Sequence, residues 1–262
     1  MRAKKSLGQN FLMHARIAER IACAAKLAPD AVVFEIGPGT GMLTRELLKC
    51  AKKVIALEAD RELFEKLQDD FAREITGGRL DLIHGDVRSF DITTLPKKYA
   101  LVANIPYYLT GDIFRMFLET ERQPSSLTLL VQKEVAERIA RAKKESILSL
   151  SVKAYGTPKL EFRVPRGAFT PAPKVDSAVL TVRDISRKNF PARADEERFF
   201  TLIRAGFAHK RKFARKNLSE AGLFPLNAPI YGASGEQASP VLAEKARAED
   251  LPLAAWLALS RG

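Results

Sequence analysis

Ala31-Val32-Val33-Phe34-Glu35-Ile36-Gly37-Pro38-Gly39-Thr40-Gly41 is an apolar run that ends in three glycines spaced one residue apart, with an amphipathic pattern starting at Met42. The run has the length and composition of a buried strand. The glycines sit where a strand turns sharply into a helix and lets backbone approach a ligand. The spacing is Gly-x-Gly-x-Gly, whereas dinucleotide folds use Gly-x-Gly-x-x-Gly, whose third glycine serves helix packing. A nucleotide-like cofactor is implied, and the spacing favours S-adenosylmethionine over a nicotinamide dinucleotide.

Outward from this loop the chain alternates short apolar runs with helical periodicities, the pattern of a parallel sheet covered by helices. Strands are predicted at Ala31–Ile36, Lys53–Leu57, Leu80–His84, Ala100–Ala103 and Leu127–Val131, and helices at Ile17–Leu27, Met42–Lys49, Arg61–Glu74, Ile113–Thr120 and Glu134–Ala142. Leu160–Val164 and Ala178–Val182 have no obvious helix between them, which suggests an antiparallel pair closing the sheet. The charged stretch Arg183–Ala194 reads as a linker, followed by helical patterns at Asp195–Gly206, Lys210–Ala221, Pro240–Ala248 and Leu253–Leu259. The expectation is an α/β catalytic domain over residues 1–186, a Rossmann-like methyltransferase sheet, and a small all-helical domain over 187–262.

Three further strand ends carry groups that suit such a ligand. Glu58 ends the next strand about twenty residues beyond the glycines, where a carboxylate accepts from ribose hydroxyls. Asp86, in Gly85-Asp86-Val87, is placed to accept from an adenine amino group. Asn104-Ile105-Pro106-Tyr107 follows the apolar run Ala100–Ala103. A strand ending in Asn-x-Pro-Tyr suits chemistry on an amino group conjugated to an aromatic ring, whose delocalised lone pair makes it a poor nucleophile. Acceptors at Asn104 and near Pro106 would orient the N–H hydrogens, and Tyr107 would offer a stacking face worth about 1–3 kcal/mol. Taken alone, the tetrapeptide equally fits an Asn-Pro turn that closes a core strand. Four successive strand ends with ligand-suited groups at one sheet edge favour the cofactor reading.

The 262 residues carry 43 Lys+Arg against 31 Asp+Glu, a formal +12, which points to an anionic partner such as nucleic acid. The charge is localised: Arg183 to Leu218 holds eleven Lys/Arg and four Asp/Glu. No apolar run reaches the ~20 residues that span a bilayer, and the N-terminus lacks a signal peptide's apolar core, so a cytoplasmic site is expected. Cys23 and Cys50 read as buried thiols. His14, His84 and His209 form no zinc or triad pattern, and no metal is assigned.

Lys4–Leu12, Glu35–Gly41, Gly85–Val87, Asn104–Tyr107, Gln132–Ala136 and Phe169-Thr170-Pro171-Ala172-Pro173-Lys174-Val175-Asp176-Ser177-Ala178-Val179 together resemble the ribosomal RNA adenine N6,N6-dimethyltransferases, the kasugamycin-resistance family that modifies small-subunit rRNA. The resemblance covers nearly the whole chain. It implies that Asn10 and Leu12 contact the methionine part of S-adenosylmethionine, that Gly37 and Gly39 lie under the cofactor, and that Glu58 holds the ribose. It also implies that Asp86, with Val87 beside it, holds the adenine, and that Asn104 sits by the reactive methyl. Phe169 becomes a second aromatic wall facing Tyr107 across an extruded adenine, although by residue type alone a phenylalanine there suits the core. Lys210, Arg211, Lys212 and Arg215 become RNA contacts, where charge pattern alone also allows a solvated helix face. His209 and Lys210 stand where the family usually carries glutamine and arginine, and Ala172 replaces a usual proline.

The resemblance implies action on the small ribosomal subunit, and a monomer is the default expectation. Rival readings are a macrolide-resistance methyltransferase acting on large-subunit rRNA and a non-catalytic assembly factor. A dehydrogenase is disfavoured by the glycine spacing.

Overall fold

The computed structural model describes Lys4, residues 8–224 and residues 245–261. In chain order the elements are β1 (Phe11–Leu12), α1 (Ala15–Ala24), β2 (Val32–Ile36), α2 (Met42–Cys50), β3 (Lys53–Glu58), α3 (Arg61–Asp70), α4 (Ala72–Thr76), β4 (Leu80–His84), β5 (Ala100–Asn104) and α5 (Thr110–Leu118). They continue with β6 (Ser126–Gln132), α6 (Lys133–Ala140), α7 (Ile147–Tyr155), β7 (Thr157–Val164), β8 (Phe169–Thr170), β9 (Ser177–Arg183), α8 (Arg193–Gly206), α9 (Ala214–Glu220) and α10 (Leu253–Ser260).

The chain divides into two units, one of residues 1–136 and 157–185, the other of 137–156 and 186–262. The first is built on a seven-stranded sheet of order β4-β3-β2-β5-β6-β9-β7. The strands from β4 to β6 are parallel. β9 runs antiparallel between β6 and β7, with a bulge between Leu160 and Phe162. This is an α/β, Rossmann-like sheet. Apolar strands such as Val32–Ile36 and Ala100–Asn104 occupy its buried middle, as parallel strands covered on both faces must. Phe34 stacks on Phe90 and packs against Tyr99 and Phe117, an aromatic cluster that fixes the central strand. β1 and β8 form a separate two-stranded antiparallel ribbon, Phe11 opposite Thr170 and Leu12 opposite Phe169.

Several sequence expectations need correction. The helix expected over Arg61–Glu74 breaks at Phe71, whose ring is buried against Gly41; a Cβ there would sit 2.5 Å from the Phe71 ring. α7 was not expected, because Ile147–Tyr155 lacks a clean polar face; a Ser146–Ser149 capping box starts it. Arg183–Ala194 is not a solvated linker. Phe190 is buried against Tyr155 and Phe199, and Asn189 Nδ2 donates to Ala154 O at 2.7 Å. Cys23 is exposed and Cys50 half-buried, so the thiols do not share a buried environment. The expected helix over Pro240–Ala248 lies largely outside the described residues.

The core of the second unit is aromatic. Tyr155, Phe190, Phe199 and Phe200 pack together, Trp256 of α10 lies against Phe207, and Gly206 gives the indole room that a Cβ would take, at 2.3 Å. The helical pattern expected from Lys210 begins later: Lys210–Lys212 lie in a turn and α9 starts at Ala214. Asn217 Nδ2 donates to the carbonyls of Gly206 and His209, so the end of α8 is capped by a side chain and the basic run stays outside a helix.

Candidate active site

The carboxyl ends of the four adjacent parallel strands β2, β3, β4 and β5 open into one cleft of the first unit. Gly37, Gly39, Glu58, Asp86, Val87, Asn104, Pro106 and Tyr107 line it together with Asn10 and Leu12 of the N-terminal arm. β2 pairs with β3 on one side and β5 on the other, so the cleft lies where the strand order reverses, the usual ligand position in such sheets.

The glycine loop is shaped by its own backbone. Gly37, Gly39 and Gly41 have φ of 66°, 60° and 75°, a region costly for other residues. A Cβ on Gly37 would meet nothing within 4 Å, so open space lies directly over that backbone. Glu58 braces the loop: Oε2 accepts from Gly39 N and Oε1 from Asp60 N, each at 2.9 Å. Burial raises the Glu58 carboxyl above its ordinary value, and the backbone donors pull it back. Both oxygens keep a further lone pair for a hydroxyl donor.

Asp86 is more committed than its sequence suggests. Arg88 grips it through Nη2 at 2.6 Å and Nε at 3.1 Å, and this pairing holds its carboxyl below the ordinary range. Val87, the next residue, is buried.

At the end of β5, Asn104 Nδ2 donates to Asn10 O at 3.3 Å. With the amide nitrogen directed at the arm, Oδ1 is the atom left to accept an incoming N–H. Pro106 O accepts from Leu109 N at 3.0 Å and retains one lone pair. The Tyr107 hydroxyl is 2.6 Å from Ser177 Oγ, which pins a half-buried ring. Burial pushes that phenol up, with Ser177 opposing, so Tyr107 is neutral near pH 7.

Phe169 requires a correction. It is 4% exposed, belongs to the hydrophobic core with Leu12 and Ala168, and does not line the cleft. Pairing of β8 with β1 sets its register and turns the ring inward. Two residues that sequence reasoning missed stand out. Tyr108 lines the cleft mouth at 57% exposure and touches the Gly8 position. Asp60, 4% exposed, accepts from Lys4 Nζ at 2.8 Å and Gln9 Nε2 at 3.0 Å. The adjacent Tyr107-Tyr108 pair was a visible signal for the first; nothing local signalled the second.

Glu35, also on the cleft wall, is 1% exposed with neither carboxylate oxygen hydrogen-bonded among the described residues. Burial pushes it up to about 8, the Thr44 hydroxyl opposing and Glu58 adding to the shift.

In the second unit, Lys210 and Lys212 share one cavity with Arg138, Lys144 and Phe207. Arg211 is exposed and Arg215 half-buried on α9. Lys212 pairs with Glu220 at 2.8 Å, and Lys144 pairs with Glu249. Among the described residues no group of His, Cys, Asp or Glu could hold a metal ion, and no helix is long and apolar enough to cross a membrane.

A profile of the family described as "Ribosomal RNA adenine dimethylase" matches residues 1–226. A "Ribosomal RNA small subunit methyltransferase A" from Dehalococcoides mccartyi is 41% identical over 220 residues, covering 81% of this chain and 73% of the relative. One of the same name from Geobacillus sp. is 38% identical and covers 98% of this chain and 90% of the relative. Among solved structures, a dimethyladenosine transferase from Plasmodium falciparum has TM-score 0.75 at 26% identity and covers 95% of each chain. The 23S rRNA methyltransferase ErmE has TM-score 0.76 at 25% identity and covers 96% of this chain and 98% of its own.

Proposed function

The chain belongs to the ribosomal RNA adenine dimethylase family, and from that premise we propose that it transfers methyl groups from S-adenosylmethionine to the N6 amino groups of two adjacent adenines in small-subunit ribosomal RNA. The observation that carries this reading is Asn104, fixed at the end of β5 with its amide nitrogen on Asn10 O and its oxygen left as an acceptor. Relatives at 38–41% identity named for the small subunit favour that target over the large-subunit activity named for ErmE.

The cleft fits the cofactor by the chemistry of its walls. Open space over Gly37 admits a ligand against backbone, Glu58 offers acceptors to ribose hydroxyls, and Asp86 offers one to an exocyclic amine. Asn10 and Leu12 close the methionine end, and Gly39 and Val87 form floor and side. S-adenosylmethionine supplies an electrophilic sulfonium methyl.

The protein's own contribution is placement. Asn104 Oδ1 and the free lone pair of Pro106 O accept the amine hydrogens, which directs the nitrogen lone pair away from the ring plane. Tyr107, held by Ser177, stacks on the base. The N6 proton is lost after the C–N bond has formed, when the amine is cationic and strongly acidic, so no strong base is needed. Lys210, Arg211, Lys212 and Arg215 take RNA phosphates as exposed or part-exposed cations. The protein acts in the cytoplasm as a monomer on the small subunit.

The test is nucleoside mass spectrometry after incubation with S-adenosylmethionine and undermethylated small subunits, with large-subunit RNA in parallel. Dimethyladenosine confined to the small-subunit reaction is expected. Product only on large-subunit RNA would transfer the assignment to the resistance-type activity, and no product on either would leave an assembly factor.

A further inference from the structure

The N-terminal arm crosses the cleft and is held at two ends of different character. On one side Phe11 and Leu12 pair with β8, and Met13 N donates to Ala168 O at 2.9 Å. In the middle, Asn10 O receives Asn104 Nδ2, and the Phe11 ring lies 3.3 Å from where a Gly39 Cβ would be. On the other side the fastening is polar and centred on Asp60, with Lys4 Nζ also paired to the exposed Glu62 Oε1 at 3.0 Å. Asp60 Oδ1 accepts from Lys4 Nζ at 2.8 Å and Oδ2 from Gln9 Nε2 at 3.0 Å, while Gln9 Oε1 accepts from the Lys4 backbone N at 2.8 Å.

Asp60 also caps α3 by accepting from Glu62 N at 3.1 Å. A cap needs one acceptor and no charge, and asparagine caps as well as aspartate. The second oxygen and the negative charge therefore serve the arm. Asp60 N in turn donates to Glu58 Oε1, so the arm's anchor is tied to the acid that braces the glycine loop.

We infer that Asp60 is a latch for the N-terminal arm, a positioning residue that keeps Gln9, Asn10 and Phe11 across the cleft and sets how long the nucleoside cofactor stays bound. The inference rests on the S-adenosylmethionine reading above. Release of the arm from Asp60 frees its polar end while the β8 pairing remains as a hinge, so ligand exchange proceeds by opening at Lys4 and Gln9. The contact is ionic and part-exposed at Lys4, and added salt weakens it.

Asp60→Asn preserves the helix cap and Lys4→Met removes the cation, and both are made in the full chain. Two readouts apply: hydrogen exchange of residues 8–13 in the cofactor-free protein, and the dissociation rate of S-adenosylmethionine. Both variants are expected to show faster exchange over 8–13 and dissociation about tenfold faster, equivalent to about 1.4 kcal/mol. The double variant should be no worse than either, and Lys4→Arg should restore slow release. Melting temperature should stay within error of the wild type. Wild-type exchange and release in both variants would overturn the latch while leaving the methyl-transfer reading intact. An effect in Asp60→Asn with none in Lys4→Met would show that the Lys4 ion pair does not hold the arm and overturn the latch equally. A wild-type protein that fails to bind S-adenosylmethionine would overturn both.

Discussion

The cleft of the first unit and the basic turn of the second use polar residues in opposite ways. In the cleft, functional atoms are held by the fold before any ligand arrives: Glu58 by two backbone donors, Asn104 by Asn10 O, and Tyr107 by Ser177. Around His209–Lys212 the cations are exposed or, at Lys212, half-exposed, and make at most surface ion pairs, as Lys212 does with Glu220. Fixed acceptors select one geometry and serve chemistry. Exposed cations attract phosphate from many directions, and their effect adds up by number and fades with salt.

Substitutions in the two regions should therefore fail differently. The largest effect on binding is expected at Gly37, where valine meets a left-handed φ of 66° and fills the space over the loop. Gly37→Val should weaken S-adenosylmethionine binding at least about 100-fold in calorimetry with the melting temperature lowered only modestly, since strain at such a position costs about 1–3 kcal/mol. Next, neutralising Lys210, Arg211 and Lys212 together should weaken rRNA binding about tenfold and flatten the dependence of log K on log salt by roughly two, at about 0.7–0.9 per lost contact. Cofactor affinity should not move, and an unchanged salt slope would remove the turn from the RNA surface.

Ser177→Ala frees the Tyr107 ring and should raise KM for the RNA particle about threefold to tenfold, in line with one net hydrogen bond of about 1 kcal/mol, with cofactor Kd unaffected. The smallest effect is at Glu35. Its carboxyl, pushed up to about 8 by burial, stays protonated in the folded chain over a range where the unfolded chain, with a value of 4.5, releases its proton. Its contribution is therefore fully present below about pH 4.5 and is lost as pH rises toward 8. Glu35→Gln should flatten the decline in melting temperature between pH 5 and pH 8 relative to wild type; parallel curves would contradict the buried neutral acid.

The sheet and its site edge were legible because strand, glycine turn and strand-end acid are local signals, each read within about ten residues of Gly37, Glu58, Asp86 or Asn104. What escaped depends on partners distant in sequence. β1 and β8 are two residues each, too short for any periodicity, and only their mutual pairing decides that Phe169 faces the core. Asp60 looks like an ordinary helix cap until Lys4 and Gln9 fold back onto it. The start of α9 shifted from 210 to 214 because Asn217 caps carbonyls at the end of α8, a contact that helical spacing does not announce.

The central claim is that Asn104 places the amine without being needed to hold the cofactor. Single-turnover methyl transfer to undermethylated small subunits, measured with cofactor Kd for wild type and Asn104→Ala, tests it most directly. A fall of about 10²–10³ in the transfer rate, as expected for one fixed polar group aimed at the reacting atoms, with Kd within about threefold, is the predicted result. Equal losses in rate and in cofactor affinity would contradict the account and leave Asn104 as a structural tie to the arm.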